Sequence, residues 1–218
     1  MPRTSGHTRI GRLHVLTDYT FQQRLTHAQL AEAAIRGGAD VIQFRQKTGS
    51  IRDLVANAHD VAAVCRARGT TLLIDDHVDV ALAVGADGVH LGQDDLPLSY
   101  ARSILGDGAI IGITAPSLDQ ARAAMLGGAD YIGFGPVYPT RSKANPSATK
   151  GLEGVLEMAN AVDIPIIGIA GITAKRCQDV LRAGAHGVAV MTAISCHDDP
   201  EAATREFARA IEAIPPHD

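Results

Sequence analysis

The sequence has no tryptophan, and aromatic residues make up only 4% of its 218 positions. It has no basic excess either: 20 Lys and Arg face 24 Asp and Glu, a formal net charge of -4 at pH 7. Without a positive field or stacking platforms, binding of nucleic acid by charge or by base stacking is unsupported, and any anion site must be local. Hydrophobic residues reach 46%, yet no apolar run approaches the roughly 18 to 20 residues that a membrane span needs. A soluble globular chain is expected. Cysteine is scarce: Cys65, Cys177 and Cys196 are odd in number, widely spaced and without a CxxC pair. That argues against a disulfide frame or zinc site, and for reduced thiols serving as small packing residues in a cytoplasmic compartment. Residues 1–12 are polar, lack the apolar core of a signal peptide, and are expected to form a flexible N-terminal segment.

What the chain does contain is one phrase repeated. Gly37-Gly38-Ala39-Asp40, Gly85-Ala86-Asp87, Gly127-Gly128-Ala129-Asp130 and Gly184-Ala185-His186 each stand between an alanine-rich helical stretch and a short β-branched run. Glycine permits the positive φ of a helix C-terminus, so the phrase punctuates α-to-β turns. With that punctuation, strands are predicted at Leu13 to Thr17, Asp40 to Arg45, Thr71 to Ile74, Gly88 to Leu91, Ile110 to Thr114, Tyr131 to Phe134, Ile166 to Ile169 and Gly187 to Val190. Helical patterns lie between them, the longest from Ile51 to Arg68 and the last from Pro200 to Ile214. Eight strands each followed by a helix in little over 200 residues predict a single-domain (β/α)8 TIM barrel over 13–214, with a tail at 215–218. A doubly wound open sheet is the alternative, but no GxGxxG is present.

Barrel active sites lie at the carboxyl ends of the strands, so the residues that follow each strand carry the functional reading. Asp75-Asp76 follows one apolar run, and Asp94-Asp95 lies just past the next, Gly88 to Leu91. Carboxylates on adjacent parallel strands repel unless a cation sits between them or one takes up a proton, and hard oxygen ligands suit Mg²⁺. The competing reading makes Asp75, Asp76 and Asp95 ordinary helix N-caps. Gln43, Arg45 and Lys47 alternate to one side of an extended segment, a polar row suited to a polyphosphate. Ser117 reads as a helix N-cap. The stretch Gly135 to Lys150 is long for a barrel loop and holds hydroxyls, among them Thr140 and Ser142, and three cations, Arg141, Lys143 and Lys150. After the last two strands come Ala170-Gly171 and Met191-Thr192, where barrels often hold a phosphate on backbone N–H groups. His90 reads as a packed barrel histidine.

In combination, the QxRxK segment at Gln43 to Lys47, the acidic turn at Asp75-Asp76, HLGQDD at His90 to Asp95, GPVYPTxSK at Gly135 to Lys143 and the Gly171 turn resemble the thiamine phosphate synthase family, with its thiazole tautomerase relative. The resemblance runs from Leu13 to about Ile214. It implies a transferase that joins hydroxymethylpyrimidine diphosphate to thiazole phosphate with loss of diphosphate. It implies that Asp76 and Asp95 hold Mg²⁺, and that Gln43, Arg45, Lys47 and Lys143 hold the diphosphate substrate. Arg45, Lys47 and Lys143 would be catalytic through the leaving group; Asp75, Thr114, Thr140 and Ser142 would line the same site, and Gly171 and Thr192 the thiazole phosphate. Expected partners are these small molecules, with no nucleic acid and no membrane; a homo-oligomer stays open. Asp75 stands where the synthases usually have Asn, His14 where many have Tyr, Thr114 and Thr192 where Ser is usual, and Pro116 where His is usual. The tautomerase and a diverged paralogue that binds thiazole or thiamine phosphate without turnover remain alternatives.

Overall fold

A computed structural model of the chain describes residues 10–140 and 148–216. Eight strands run β1 Leu13–Thr17, β2 Val41–Phe44, β3 Thr71–Asp75, β4 Gly88–Leu91, β5 Ile110–Thr114, β6 Tyr131–Phe134, β7 Ile166–Ile169 and β8 Gly187–Val190. They pair in parallel in chain order and close into a barrel, with Val15 of β1 opposite Val190 of β8. That closure removes the open-sheet alternative. The helices are α1 His27–Arg36, α2 Ile51–Arg68, α3 Val78–Val84, α4 Leu98–Leu105, α5 Leu118–Leu126, α6 Gly151–Ala159, α7 Ala174–Arg182, α8 Thr192–Ser195 and α9 Pro200–Glu212. No described helix is long and apolar enough to cross a membrane.

The repeated phrase does more than turn the chain. Gly38, Gly85, Gly128 and Gly184 take positive φ, as expected, while the aspartates tie down the preceding strand. Asp40 Oδ2 accepts from the N–H of Arg12 and of Leu13, both at 2.9 Å. Asp87 does the same for Leu72 at 2.9 Å and Asp130 for Ile111 at 2.8 Å. Side-chain carboxylates thus satisfy N–H groups at strand starts, where ladder partners run out. Because Asp40 is spent in this way, β2 begins at Val41 rather than at Asp40.

The expectation of a loose segment through residue 12 fails at its end. Ile10 is buried, and Arg12 is a clasp: Nε donates to the His186 carbonyl at 3.0 Å and Nη1 to those of Ile211 and Ile214 at 3.3 and 2.8 Å. One guanidinium satisfying three carbonyls joins the start of β1 to the end of α9. Residues 1–9 lie outside the described ones.

Strand alternation sorts the apolar residues into two layers. Leu13, Ile42, Phe44, Ile74, Leu91, Ile111 and Ile132 point outward into the seam with the helices. Leu16, Val41, Leu73, Ile110, Tyr131, Ile167 and Ala189 fill the lumen. Cys65 and Cys177 pack in the outer layer, whereas Cys196 is exposed at the end of α8, so the packing expectation fails for that thiol. Two inward glycines make room for rings in the lumen: a Cβ on Gly112 would stand 2.0 Å from Tyr131 Cζ, and one on Gly133 would stand 2.7 Å from His90 Cε1.

Candidate active site at the barrel mouth

β2 delivers the polar row at three depths. Gln43 is buried in the lumen, its amide 2.9 Å from His14 Nδ1 and 3.2 Å from the Tyr131 hydroxyl. Arg45 is half-buried and paired with the buried Asp18 at the end of β1. Lys47 reaches the rim, where its ammonium pairs with Asp76. Alternation therefore holds, but the three side chains do not share one partner.

β3 runs one residue further than predicted, through Asp75, which pairs in register with His90. Asp76 then takes φ 66°, its N–H donating to the His90 carbonyl at 2.9 Å. None of the three carboxylates caps a helix. The cap of α3 is His77 and that of α4 is Pro97; Asp95 instead accepts from Gly92 N–H at 2.6 Å within its own loop. Asp75 is buried and its Oδ1 has no hydrogen-bond partner among the described residues. Burial, with the Asp76 charge behind it, pushes this carboxyl well above the usual carboxylate range, against the pull of Arg45 and Lys47.

Among the described residues, no group of three or more His, Cys, Asp or Glu side chains could hold a metal by itself. Two carboxylates suffice for Mg²⁺, which keeps several waters and is commonly held by one or two carboxylates together with substrate phosphates. The donor set at Asp76 and Asp95 fits that mode.

Across the mouth, Thr114 ends β5, its hydroxyl 2.8 Å from His90 Nε2 and its carbonyl accepting from Gln93 Nε2 at 2.6 Å. Ser117 caps α5, as expected. Gly171 has φ 65°, and a Cβ there would stand 2.6 Å from the Pro139 carbonyl and 2.7 Å from Tyr138 Cβ. The close approach it permits is thus to the loop after β6. Arg176 fastens the same junction, donating to the Gly171 carbonyl at 3.1 Å and stacking 4.6 Å over the Tyr138 ring. Thr140 is half-buried in that loop, and Thr192 begins α8 at the end of β8. Ser142 and Lys143 lie outside the described residues.

Three participants were not singled out. Asp18 directly follows β1, the position that drew attention to the acidic pair after β3, so the signal was present. Tyr131 enters the sequence reading only as the first residue of a strand; the closed register turns its ring inward. His14 was noted as a departure from the family pattern, not as a partner of Gln43.

A closed (β/α)8 barrel that gathers acidic and cationic side chains at the carboxyl ends of β1 to β4 is the architecture of a barrel enzyme. The thiamine monophosphate synthase family matches residues 13–194. The thiamine-phosphate synthase of Salinibacter ruber is 56% identical over 205 residues, covering 94% of this chain and 90% of that protein. Its counterpart from Chloroflexus aurantiacus is 42% identical, with 93% of each chain covered. A solved thiamine phosphate pyrophosphorylase from Pyrococcus furiosus superposes with a TM-score of 0.84 at 35% identity, covering 93% of this chain and 96% of that one. The chain belongs to the thiamine monophosphate synthase family, a family of transferases.

Proposed function

We propose that the protein condenses 4-amino-2-methyl-5-hydroxymethylpyrimidine diphosphate with thiazole phosphate, releasing diphosphate and thiamine phosphate. The observation that carries this reading is the Lys47–Asp76 pair at the barrel rim with the Arg45–Asp18 pair below it, in a chain of this family. The substrate's methylene C–O bond breaks first, and diphosphate leaves with the electron pair. The thiazole nitrogen then donates its lone pair to the pyrimidine methyl cation, forming the new C–N bond.

In this reading Arg45, held in place by Asp18, offers its guanidinium fork to the diphosphate, and Lys47 offers a point charge. Their charges oppose the negative charge that builds on the leaving group, which is where stabilisation lowers the barrier. Asp76 and Asp95 would hold Mg²⁺, which when bound adds Lewis-acid neutralisation of the diphosphate. Lys143 would add a further cation, and Thr140 and Ser142 would line the same loop. Thr114 and Asp75 would contact the pyrimidine substrate, and Gly171 and Thr192 the thiazole phosphate. Pro116, on the loop after β5, has no group to move a proton, which weighs against a tautomerase.

The test is to incubate purified protein with both substrates, in Mg²⁺ or in EDTA, and to read thiamine phosphate through its fluorescent oxidation product. Product that depends on Mg²⁺ is expected. Well-folded protein that forms none with Mg²⁺ present would reject the reading.

A further inference from the structure

Five side chains cross the lumen in one unbroken hydrogen-bonded series. His14 Nε2 lies 3.0 Å from the Gly11 carbonyl, and His14 Nδ1 lies 2.9 Å from Gln43 Nε2. That same Gln43 nitrogen is 3.2 Å from the Tyr131 hydroxyl, which is 2.8 Å from His90 Nδ1. His90 Nε2 then meets Thr114 Oγ1 at 2.8 Å. Gly112 and Gly133 leave the space in which the Tyr131 and His90 rings lie.

The positions of the protons follow by elimination. A carbonyl only accepts, so His14 Nε2 must carry the hydrogen that faces Gly11. Burial drives the His14 pKa down to about 3; the ring is neutral, and its Nδ1 accepts. Gln43 must therefore present its NH2 group there, which fixes the sense of the amide, and its second hydrogen goes to the Tyr131 oxygen. Tyr131 has one proton left and gives it to His90 Nδ1. His90 Nδ1 accepts that proton, so the hydrogen of the ring sits on Nε2 and points at Thr114. The Thr114 oxygen is thereby an acceptor toward the lumen, and its own hydrogen is left for the mouth.

We infer that this series makes Thr114 a committed hydrogen-bond donor to an acceptor atom of the bound pyrimidine diphosphate, and that buried Tyr131 is a positioning residue acting on it through His90. The inference rests on the function proposed above. A ring nitrogen and a diphosphate oxygen share the required chemistry. Tyr131→Phe strips His90 Nδ1 of its donor. The ring can then shift its proton to Nδ1 and accept from Thr114, turning that hydroxyl away from the ligand. Thr114→Val removes the hydroxyl at nearly constant shape, so nothing remains for Tyr131 to orient.

The test is a double-mutant cycle read in steady-state kinetics at saturating thiazole phosphate. Each single variant should raise KM for the pyrimidine diphosphate about tenfold, the effect of one lost hydrogen bond, with kcat changed far less. The double variant should be no worse than Thr114→Val. Independent losses multiplying to about a hundredfold would overturn the inference, as would an unchanged KM in Tyr131→Phe. Inhibition by inorganic diphosphate separates the two acceptors: a weaker inhibitor in Thr114→Val means a diphosphate oxygen, an equal one means the pyrimidine ring. The ¹⁵N resonances of His90 in the unmodified protein read the series without turnover. A hydrogen on Nε2 is expected, and one on Nδ1, or a cationic ring, would overturn it. Wild-type protein with His90 in the expected tautomer and no turnover would instead reject the proposed function.

Discussion

Gly112 and Tyr131 occupy one volume between them: a Cβ on the glycine would stand 2.0 Å from Tyr131 Cζ and 2.5 Å from its hydroxyl oxygen. Neighbouring strands hold both residues in register, so neither can withdraw without moving the barrel wall. Gly112→Ala should therefore destabilise the fold by about 1–3 kcal/mol, the usual range for overpacking a tight interior. Gly108→Ala is the control, because a Cβ there meets nothing within 4 Å. Urea unfolding of both variants checks this; equal midpoints would mean that the lumen yields more easily than its packing implies.

Asp18 supports Arg45 from below. The carboxylate is 1% exposed and pairs with the guanidinium, while its other oxygen accepts from Thr20 N–H. Asp18→Asn keeps the shape and removes the charge that aims the fork. If Arg45 binds the leaving diphosphate, the expected loss in kcat/KM for the pyrimidine substrate is about 10- to 100-fold, the scale of a misaimed positioning group. Kinetics together with a thermal melt checks it: a loss that merely tracks reduced stability would assign Asp18 to folding alone.

How far the sequence could be read follows from the range of the interactions. Strands and helices came through because their signals are local: alternating β-branched runs, caps such as Ser117, and glycines at helix ends. Six strands keep their predicted bounds; β2 loses Asp40 and Arg45 from its predicted ends and β3 gains Asp75, three charged side chains whose destinations are a matter of tertiary structure. Arg45 and Lys47 were legible as a row on one face, but their partners Asp18 and Asp76 come from other strands. The lumen series was the least legible part. Gln43, Tyr131, His90 and Thr114 come from four different strands; the last three lie on the paired strands β4 to β6, and barrel closure brings Gln43 of β2 across to them. Asp75 shows the same limit. In the sequence it is an added charge in place of the Asn usual in the family, whereas its burial favours the neutral carboxyl, closer to that Asn.

His14 should make the fold acid-sensitive. Burial lowers its pKa from 6.5 to about 3, so between those values the unfolded chain binds a proton that the native ring refuses. The stabilising contribution is complete above pH 6.5 and is lost as pH falls through that window, at about 1.4 kcal/mol per unit of pH. Going from pH 7 to pH 5 should thus remove about 2 kcal/mol through this residue. Urea midpoints at the two pH values, in wild type and in His14→Leu, check it. The variant starts from lower stability, since Gln43 loses its acceptor, but should have the shallower pH dependence; equal slopes would mean that His14 takes up its proton without unfolding.

Asp76 offers the cleanest separation of metal chemistry from folding. Its φ of 66° lies in the left-handed region, which Asn tolerates well and Ala does not. Asp76→Asn should accordingly preserve the turn between β3 and α3 while removing the charge that pairs with Lys47 and would hold Mg²⁺. Asp76→Ala should lose the same chemistry and about 1–2 kcal/mol of stability besides. If Asp76 holds the metal, Asp76→Asn should cut turnover by at least about 100-fold, as for loss of transition-state charge stabilisation, and raise the Mg²⁺ concentration needed for half-maximal rate. Its melting temperature should stay near that of wild type. Freeing Lys47 acts in the opposite direction, because an unpaired ammonium binds diphosphate more readily. The product complex measures that opposing term: inorganic diphosphate without Mg²⁺ should bind Asp76→Asn at least as tightly as wild type. Weaker metal-free binding together with an unchanged Mg²⁺ requirement would make Asp76 a partner of Lys47 alone and move the metal to other ligands.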